Sequence, residues 1–412
     1  MTIASLKQHA IHEEFDVRDD CLVIGDRSLT QIAAEIGRTP FYLYSRESLM
    51  RRARDLRRAL PPAVHVHFAV KANPMPDVVR QLAADVDGLD VASAGELRVA
   101  LASGMNPAEI SFAGPGKTVA ELELAAVSGI VVNLESEREM RALAAIGDAR
   151  SIRPRVAVRV NPDFELKTSG MKMSGGPKQF GVDAERVPEM LAELARLPLD
   201  FQGFHIFSGS QNLRPEAIVE AQRKTLDLVT QLARGAPAPL KLLNMGGGFG
   251  IPYFPGEQAL DVQPIARHLE ALVPEVRERF PLARMVIELG RYLVGPSGIY
   301  VCRVLDRKLS RGQVFLITDG GLHHHLAASG NFGQVIRKNY PVVVGNKVQG
   351  REREVASVVG PLCTPLDTLA ERMEMARAEV GDLIVVLQSG AYGLTASPLG
   401  FLSHPHPAEV LL

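Results

Sequence analysis

Residues 64–74 read VHVHFAVKANP, a strand that ends abruptly. Alternation sets His65, His67, Ala69 and Lys71 on one face and Val64, Val66, Phe68 and Val70 on the other. Asn73-Pro74 then takes the chain out of regular structure. The same punctuation recurs downstream. GLDVAS (88–93) runs into AGELRVALASG, ISFAG (110–114) precedes KTVAELELAAVSG, and IVVNLES (130–136) leads into EREMRALAAIG. RVAVRVNP (155–162), FQGFHIFSG (201–209), LKLLNMGGG (240–248) and MVIELGRYLV (285–294) are further strand-like runs, and FYLYS (41–45) stands before them all. FYLYS is followed by a helical pattern in which Leu49, Ala53, Leu56 and Leu60 share a stripe.

Strands alternating with helical patterns predict βα units and a parallel sheet. About eight units over roughly 250 residues fit a (β/α)8 barrel, although an open doubly wound sheet gives the same local pattern. From about residue 295 the texture changes to short extended runs with turns between them, a β-rich second domain to which CLVIGDRSL (21–29) adds a strand. The expected division is a barrel over 36–284, with 1–35 and 285–412 forming the β-rich domain. The Gly- and Lys-rich stretch 163–181 reads as a mobile loop.

Bulk properties exclude several classes. The 412 residues are 46% apolar and 23% charged, with a net charge of −1, so nothing points to nucleic acid or an anionic membrane. Three cysteines, at 21, 302 and 363, form neither a disulfide framework nor a zinc spacing. No apolar leader or membrane-length run stands out. A cytoplasmic enzyme or binding protein is expected.

Two phosphate-loop readings fail on spacing. SFAGPGKT has Ser111 where a Walker loop needs its first glycine. A strand, a turn and a helix capped by Thr118 with Glu121 explain it. MGGGFG follows a strand, but Ile251 stands where a dinucleotide fingerprint needs its third glycine. Gly246, Gly247 and Gly248 then form either a tight turn or a set of amides open to a phosphate. His323–His325 and the pair His65/His67 could be metal ligands, yet no acid or thiol falls at ligand spacing, so no metal is expected.

In a parallel α/β barrel the C-terminal strand ends converge on the ligand-binding face. Here those ends carry Lys71, Asp90, Ser93, Arg159, Asn161, His205, Ser208, Glu288 and Arg291. An aldehyde cofactor bearing a phosphate uses each type of group. Lysine forms the imine, an acid keeps the pyridine nitrogen protonated, and histidine stacks on the ring. Glycine amides, serine and arginine hold the phosphate. Each residue alone has a plainer reading as a solvated strand end, and Ser93-x-x-Glu96 as a capping box; together they favour pyridoxal phosphate.

FAVKANP, DVASAGEL, RVNP, GFHIFSGSQ, NMGGGFG, ELGRYLV, GPLCTPLD and GAYG occur in that order over residues 68–393. They resemble the fold-type III pyridoxal-phosphate decarboxylases, the diaminopimelate and ornithine decarboxylase family. The resemblance implies an alanine-racemase-like (β/α)8 barrel followed by a β-rich domain, working as a head-to-tail homodimer with shared active sites. By motif, Lys71 resembles the imine-forming lysine, Glu288 the acid at the pyridine nitrogen and His205 the residue on the ring face. Ser208, Gly246–Gly248, Gly290, Arg291 and Tyr392 match the cofactor cradle, and Asp90, Glu96 and Arg159 match supporting positions. Cys363 resembles the cysteine that protonates the substrate carbon from the partner subunit. Arg291, Asp319, Cys363, Thr364 and Tyr392 fall at substrate-contacting positions.

The departures bear on the substrate. Leu289 replaces the proline of the usual Glu-Pro-Gly-Arg, leaving Glu288 and Arg291 in place. In Gly360-Pro-Leu-Cys363-Thr364, threonine stands where the family has the acid that holds a distal ammonium. The usual Arg-Pro-x-Leu-Tyr segment is absent, and 319–341 occupies its region, with Asp367 a substitute partner at a different spacing. An unmatched distal charge would cost several kcal/mol if buried. That segment, with HIFSGSQNL, is similar to a subgroup found beside exosortase-type systems and to relatives that decarboxylate an aminoacyl group tethered to a carrier protein. A neutral or tethered distal end is therefore expected, with diaminopimelate as the alternative substrate. Arg51, Arg54 and Arg58 share a helical face, read either as a carrier dock or as a solvated surface. A racemase would favour a cationic partner at the pyridine nitrogen, and a non-catalytic homologue would tend to lose Lys71 or Cys363.

Overall fold

The computed structural model describes residues 9, 14–164, 171–172 and 174–412. The chain divides into two compact units, one over Arg52–Gly250 and Leu260–Tyr292, the other over the stretch ending at Arg51 together with Ile251–Ala259 and Leu293–Leu412.

The first unit is a closed parallel barrel. Its strands are β1 (Val64–Ala69), β2 (Gly88–Val91), β3 (Ile110–Phe112), β4 (Val131–Leu134), β5 (Arg155–Asn161), β6 (Asp200–His205), β7 (Leu242–Gly247) and β8 (Arg284–Leu289). Each pairs in parallel with the next, and β8 returns to β1, with Glu288 opposite His67. The sequence placed helices between these strands for local reasons that hold. Thr118 and Glu121 form a reciprocal capping box, and Gly129 ends that helix with φ +73°. The end of the barrel needs correction: 284–289 is hydrogen-bonded between β7 and β1, so the barrel continues to Tyr292 rather than stopping at 284. The stretch 163–181 falls partly outside the described residues.

The second unit is built on an antiparallel-rich sheet ordered Val342–Val344, Leu383–Val386, Gly298–Ser310, Gln313–Thr318, Arg353–Val359, Thr368–Ala376. FYLYS belongs here, not to the barrel, because Phe41–Tyr44 pairs antiparallel with Gly298–Ser310 and parallel with Ala408–Leu411. Cys21–Ile24 pairs with Asp16–Arg18 and Arg27–Ser28 in a small sheet of its own, packed into one apolar cluster with Ile299, Val301 and Val385. Among the described residues no helix is long and apolar enough to cross a membrane.

The His323–His325 run lies in this unit's core rather than on its surface. His324 Nε2 lies 2.9 Å from the Pro405 carbonyl and His325 Nε2 2.9 Å from Ser389 Oγ. His323 has no hydrogen-bond partner on either ring nitrogen; its ring centre is 3.7 Å from that of His324 and 4.9 Å from that of His404. Burial, then the neighbouring His324 and His404, push its pKa down to about 3. The unfolded chain therefore binds a proton near pH 6.5 that the folded chain refuses, and stability is lost as pH falls through that window. His323→Phe removes the titrating group and orphans nothing. The variant is expected to lose stability more slowly than the parent, by up to about 1.4 kcal/mol per pH unit between about pH 6 and about pH 4.5. Denaturant midpoints measured across that range decide it, and parallel curves would refute the assignment.

Candidate active site

Within the barrel, period-two alternation stacks a polar layer on an apolar one. Val131, Ala157, Leu242 and Val286 form a buried cluster. Two residues further along each strand stand Asn133, Arg159, Asn244 and Glu288. The other strands add His67, Asp90, Ser111 and His205, so every strand contributes one buried polar residue to this layer. Strand register sets Asp90 beside Ser111, and His205 between Arg159 and Asn244.

One side of the layer is a neutral-to-acidic chain. Asn133 Nδ2 donates to Ser111 Oγ (3.0 Å), whose hydroxyl donates to Asp90 Oδ1 (2.6 Å), which also lies 3.1 Å from His67 Nδ1. Burial opposes charge on His67, but the Asp90 carboxylate outweighs it and raises the imidazole pKa. Asp90 Oδ2 is buried without a partner. Opposite stands Glu288. Its Oε2 accepts from Asn244 Nδ2 (3.2 Å) and lies 3.0 Å from His205 Nε2, a contact off the hydrogen-bonding line that leaves both His205 nitrogens unsatisfied. Burial alone would raise the Glu288 pKa; the attraction of His205, then Lys71 and Arg159, reverses the sign and holds the carboxyl ionised.

Lys71 follows β1 in a single 3-10 turn, Val70–Ala72, with an exposed side chain whose Nζ is 5.5 Å from the Phe207 ring centre. Glu96 does not complete the expected capping box. Its N–H reaches Ser93 Oγ, but its carboxylate takes the Ala92 amide (2.8 Å), one residue early. Burial raises the Glu96 pKa, with the Ala92 bond and the Lys71 charge acting against it. Arg159 Nη1 donates to Glu135 Oε1 (2.6 Å), and its guanidinium lies 5.2 Å from the Phe180 ring centre. Behind it Lys117 Nζ binds Glu139 Oε2 (3.1 Å), which also accepts the Glu135 amide (3.0 Å). Sequence reading missed Glu135, Lys117 and Glu139.

The glycine turn has no space for side chains. Gly246 and Gly248 adopt φ +67° and +81°, and a Cβ on Gly247 would lie 1.9 Å from the Glu288 carbonyl oxygen. Buried Ser208 lies in the loop after β6 and accepts Ser174 Oγ on its carbonyl (3.2 Å). A Cβ on Gly290 would lie 2.8 Å from Ala72 Cβ, and Arg291 opens the short helix Arg291–Val294.

The family model described as pyridoxal-dependent decarboxylase, pyridoxal binding domain, matches residues 46–295. The chain belongs to this family. Similar proteins include the L-glutamyl-[BtrI acyl-carrier protein] decarboxylase of Niallia circulans, 40% identical over 90% of this chain and 88% of that protein. The diaminopimelate decarboxylase of Aquifex aeolicus is 33% identical over 99% of this chain and 94% of that protein. Among solved structures, the diaminopimelate decarboxylase from M. jannaschii in complex with L-lysine superposes with TM-score 0.88 at 25% identity, covering 97% of this chain and 93% of that one.

The decarboxylase's own residues fit pyridoxal 5'-phosphate. An amine, a buried ionised carboxylate and a histidine with both nitrogens unsatisfied occupy the C-terminal side of one barrel. The glycine turn adds backbone that no Cβ of its own could crowd, with the Gly246 amide already donating to Asn244 Oδ1 (2.8 Å).

The remaining expected residues lie in the second unit. Cys363 is exposed, and Thr364 beside it is half-buried. Tyr392 adopts φ +53°, a strained conformation for an aromatic residue, with Phe332 6.4 Å away between ring centres. Asp319 is engaged within its unit: Thr39 Oγ1 donates to Oδ2 and the Arg303 amide to Oδ1 (2.8 Å). Asp367 is no substitute for the missing acid, because its carboxylate is buried against the amides of Leu322 (2.6 Å) and Leu362 (2.8 Å). Each arginine of the proposed basic face meets a carboxylate: Arg51 with Glu14, Arg54 with Asp85, Arg58 with Asp55. A solvated, paired surface describes them.

Proposed function

We propose that this enzyme removes the α-carboxylate of an amino acid carried through its distal carboxyl as a thioester on a carrier protein, glutamyl being the first substrate to try. The supporting observation is the chemistry around Cys363. Thr364 replaces the acid, while Asp367 accepts the Leu322 and Leu362 amides and Asp319 accepts the Arg303 amide and Thr39 Oγ1. A free diamine precursor would find no carboxylate among these three, whereas a neutral thioester needs none. The likeness to a carrier-linked glutamyl decarboxylase agrees with this reading.

Bound pyridoxal phosphate supplies a protonated conjugated ring that holds the electron pair left when the Cα–carboxylate bond breaks. The chain supplies the rest. Lys71 presents its amine to the cofactor aldehyde. Glu288, held ionised, would keep the pyridine nitrogen protonated. His205 would lie against the ring, and Ser208, Gly246–Gly248, Arg291 and Tyr392 would hold the phosphate, with Asp90 and Arg159 in support. In a homodimer with shared sites, Cys363 of each protomer gives Cα the proton that replaces departing carbon dioxide.

Carbon dioxide release tests the substrate. Enzyme loaded with pyridoxal phosphate is expected to act on glutamyl thioesters of a carrier protein and not on free meso-diaminopimelate, lysine, ornithine or arginine. Release from free diaminopimelate would instead make the enzyme a lysine-forming decarboxylase with a rebuilt distal pocket, the reading favoured by the Aquifex and M. jannaschii likenesses.

A further inference from the structure

The segment 319–341 divides into two parts. Its histidines are core, whereas residues 329–337 form one wall of a cavity of about 480 Å3. That volume suits a small-molecule site. Another wall contains Pro365, Leu366 and Thr368, immediately after Cys363 and Thr364, and Glu371 and Arg372 extend it.

Three features narrow the occupant. The lining mixes neutral hydrogen-bonding groups (Ser329, Asn331, Gln334) with apolar ones (Phe315, Val359), which suits a chain of amides and methylenes. Its charged groups are Arg337 and Arg372 against Glu371 alone, so the cavity is net positive. Arg337 is fixed by carbonyls, Nη1 to Ser329 O (2.8 Å) and Nη2 to Thr368 O (2.6 Å), while the Glu371 carboxylate stands off at 3.7 Å. Its charge is therefore only partly offset, and burial pulls its pKa down. Arg372 is exposed, with backbone at φ +45° and its N–H donating to Ser357 Oγ (3.0 Å). Finally, the edge is apolar: Phe332, Val335, Ile336 and Leu366 are 41%, 101%, 76% and 58% exposed. A cluster of this kind marks a surface that meets a partner.

We propose that this cavity seats the phosphopantetheine arm on which a carrier protein presents the aminoacyl group, Arg372 and Arg337 facing the phosphate and the Phe332–Ile336 tip meeting the carrier. The inference rests on the carrier-linked reading above. Phosphate on arginine is a charge-assisted contact, and the amide-rich arm runs beside the loop that bears Cys363.

Two variants and two readouts test it. Calorimetric titration with 4'-phosphopantetheine alone is expected to show binding to the pyridoxal-phosphate-loaded enzyme that Arg372→Glu weakens about tenfold or more. In turnover, Arg372→Glu is expected to lower kcat/KM far more for glutamyl-phosphopantetheine than for glutamyl-pantetheine, which lacks the phosphate. Val335→Asp, at a fully exposed site, is expected to raise KM for the carrier-borne substrate more than for the arm alone. Leu282→Ser, an exposed change in the barrel unit, is the control. Turnover of carrier-borne substrate with no response to either variant overturns the cavity and spares the function. No turnover of any tethered substrate overturns the function, and the cavity assignment falls with it.

Discussion

Lys71→Ala is expected to lower decarboxylation by at least about a thousandfold, the scale on which loss of an essential reacting group acts. The loaded variant should also lose the visible absorption that depends on covalent attachment of the cofactor. Among the described residues, Lys71 follows β1 and Lys117 follows β3, and of these two only Lys71 has an accessible amine. Lys117 is buried, with Nζ donating to Gly114 O (2.7 Å), Asn133 O (2.9 Å) and Glu139 Oε2 (3.1 Å). Three donors meet three acceptors, and no lone pair is available. Lys71 is exposed at the end of β1, so alanine there should change folding stability by about half a kcal/mol or less. A chemical loss with a normal melting curve is the expected signature. Retention of even a tenth of the parent activity would move the reacting amine elsewhere.

The barrel was legible because its signals are local: an apolar strand, a breaker, a capped helix. FYLYS misled for the same reason. Phe41–Tyr44 is buried on both faces and runs into an amphipathic helix, the pattern of a βα unit. Only its pairing with Gly298–Ser310, some 250 residues away, removes it from the barrel. The motif residues Lys71, Asp90, Arg159, His205 and Glu288 could be found at strand ends, but their neighbours could not. His67, Asn133 and Asn244 each look like an ordinary polar residue in an apolar strand. They become one layer only when the ladders fix which residues stand side by side. One usable signal was present: in IVVNLES the alternate residues Asn133 and Glu135 are polar on what should be an inward face. Asp367 shows the opposite failure, since a carboxylate near a substrate loop is indistinguishable in sequence from one that binds backbone amides.

Lys117→Met is expected to destabilise the barrel by about 3–5 kcal/mol, the usual cost of leaving one member of a buried ion pair alone. Lysine in SFAGPGKT invites a phosphate-loop reading, and the capping box at Thr118 and Glu121 correctly displaces it, because that motif spans three residues. Lys117 itself answers to Glu139, 22 residues on, and both side chains are nearly inaccessible at 2% and 1%. Burial, the largest influence, lowers the Lys117 pKa, with Glu139 and Glu135 pulling the other way. Methionine keeps the volume and strips the charge, so Glu139 must then take up a proton or draw in water. The damage should not stay local. Glu139 Oε2 fixes the Glu135 amide, and Glu135 in turn holds Arg159 and accepts the Gly181 amide (2.9 Å). Lys117→Met should therefore weaken cofactor affinity as well as stability, although Lys117 touches no expected ligand. Adding Glu139→Leu to Lys117→Met should recover part of the stability, since replacing both partners removes the orphaned charge. The recovery will be incomplete, because Glu139 also serves that backbone amide. Denaturant titration of the two variants, with pyridoxal-phosphate binding followed on the same samples, separates the effects. A loss below about 1 kcal/mol for Lys117→Met would show that water already offsets the pair, and Arg159 would then owe its position to Phe180 and the backbone of β5.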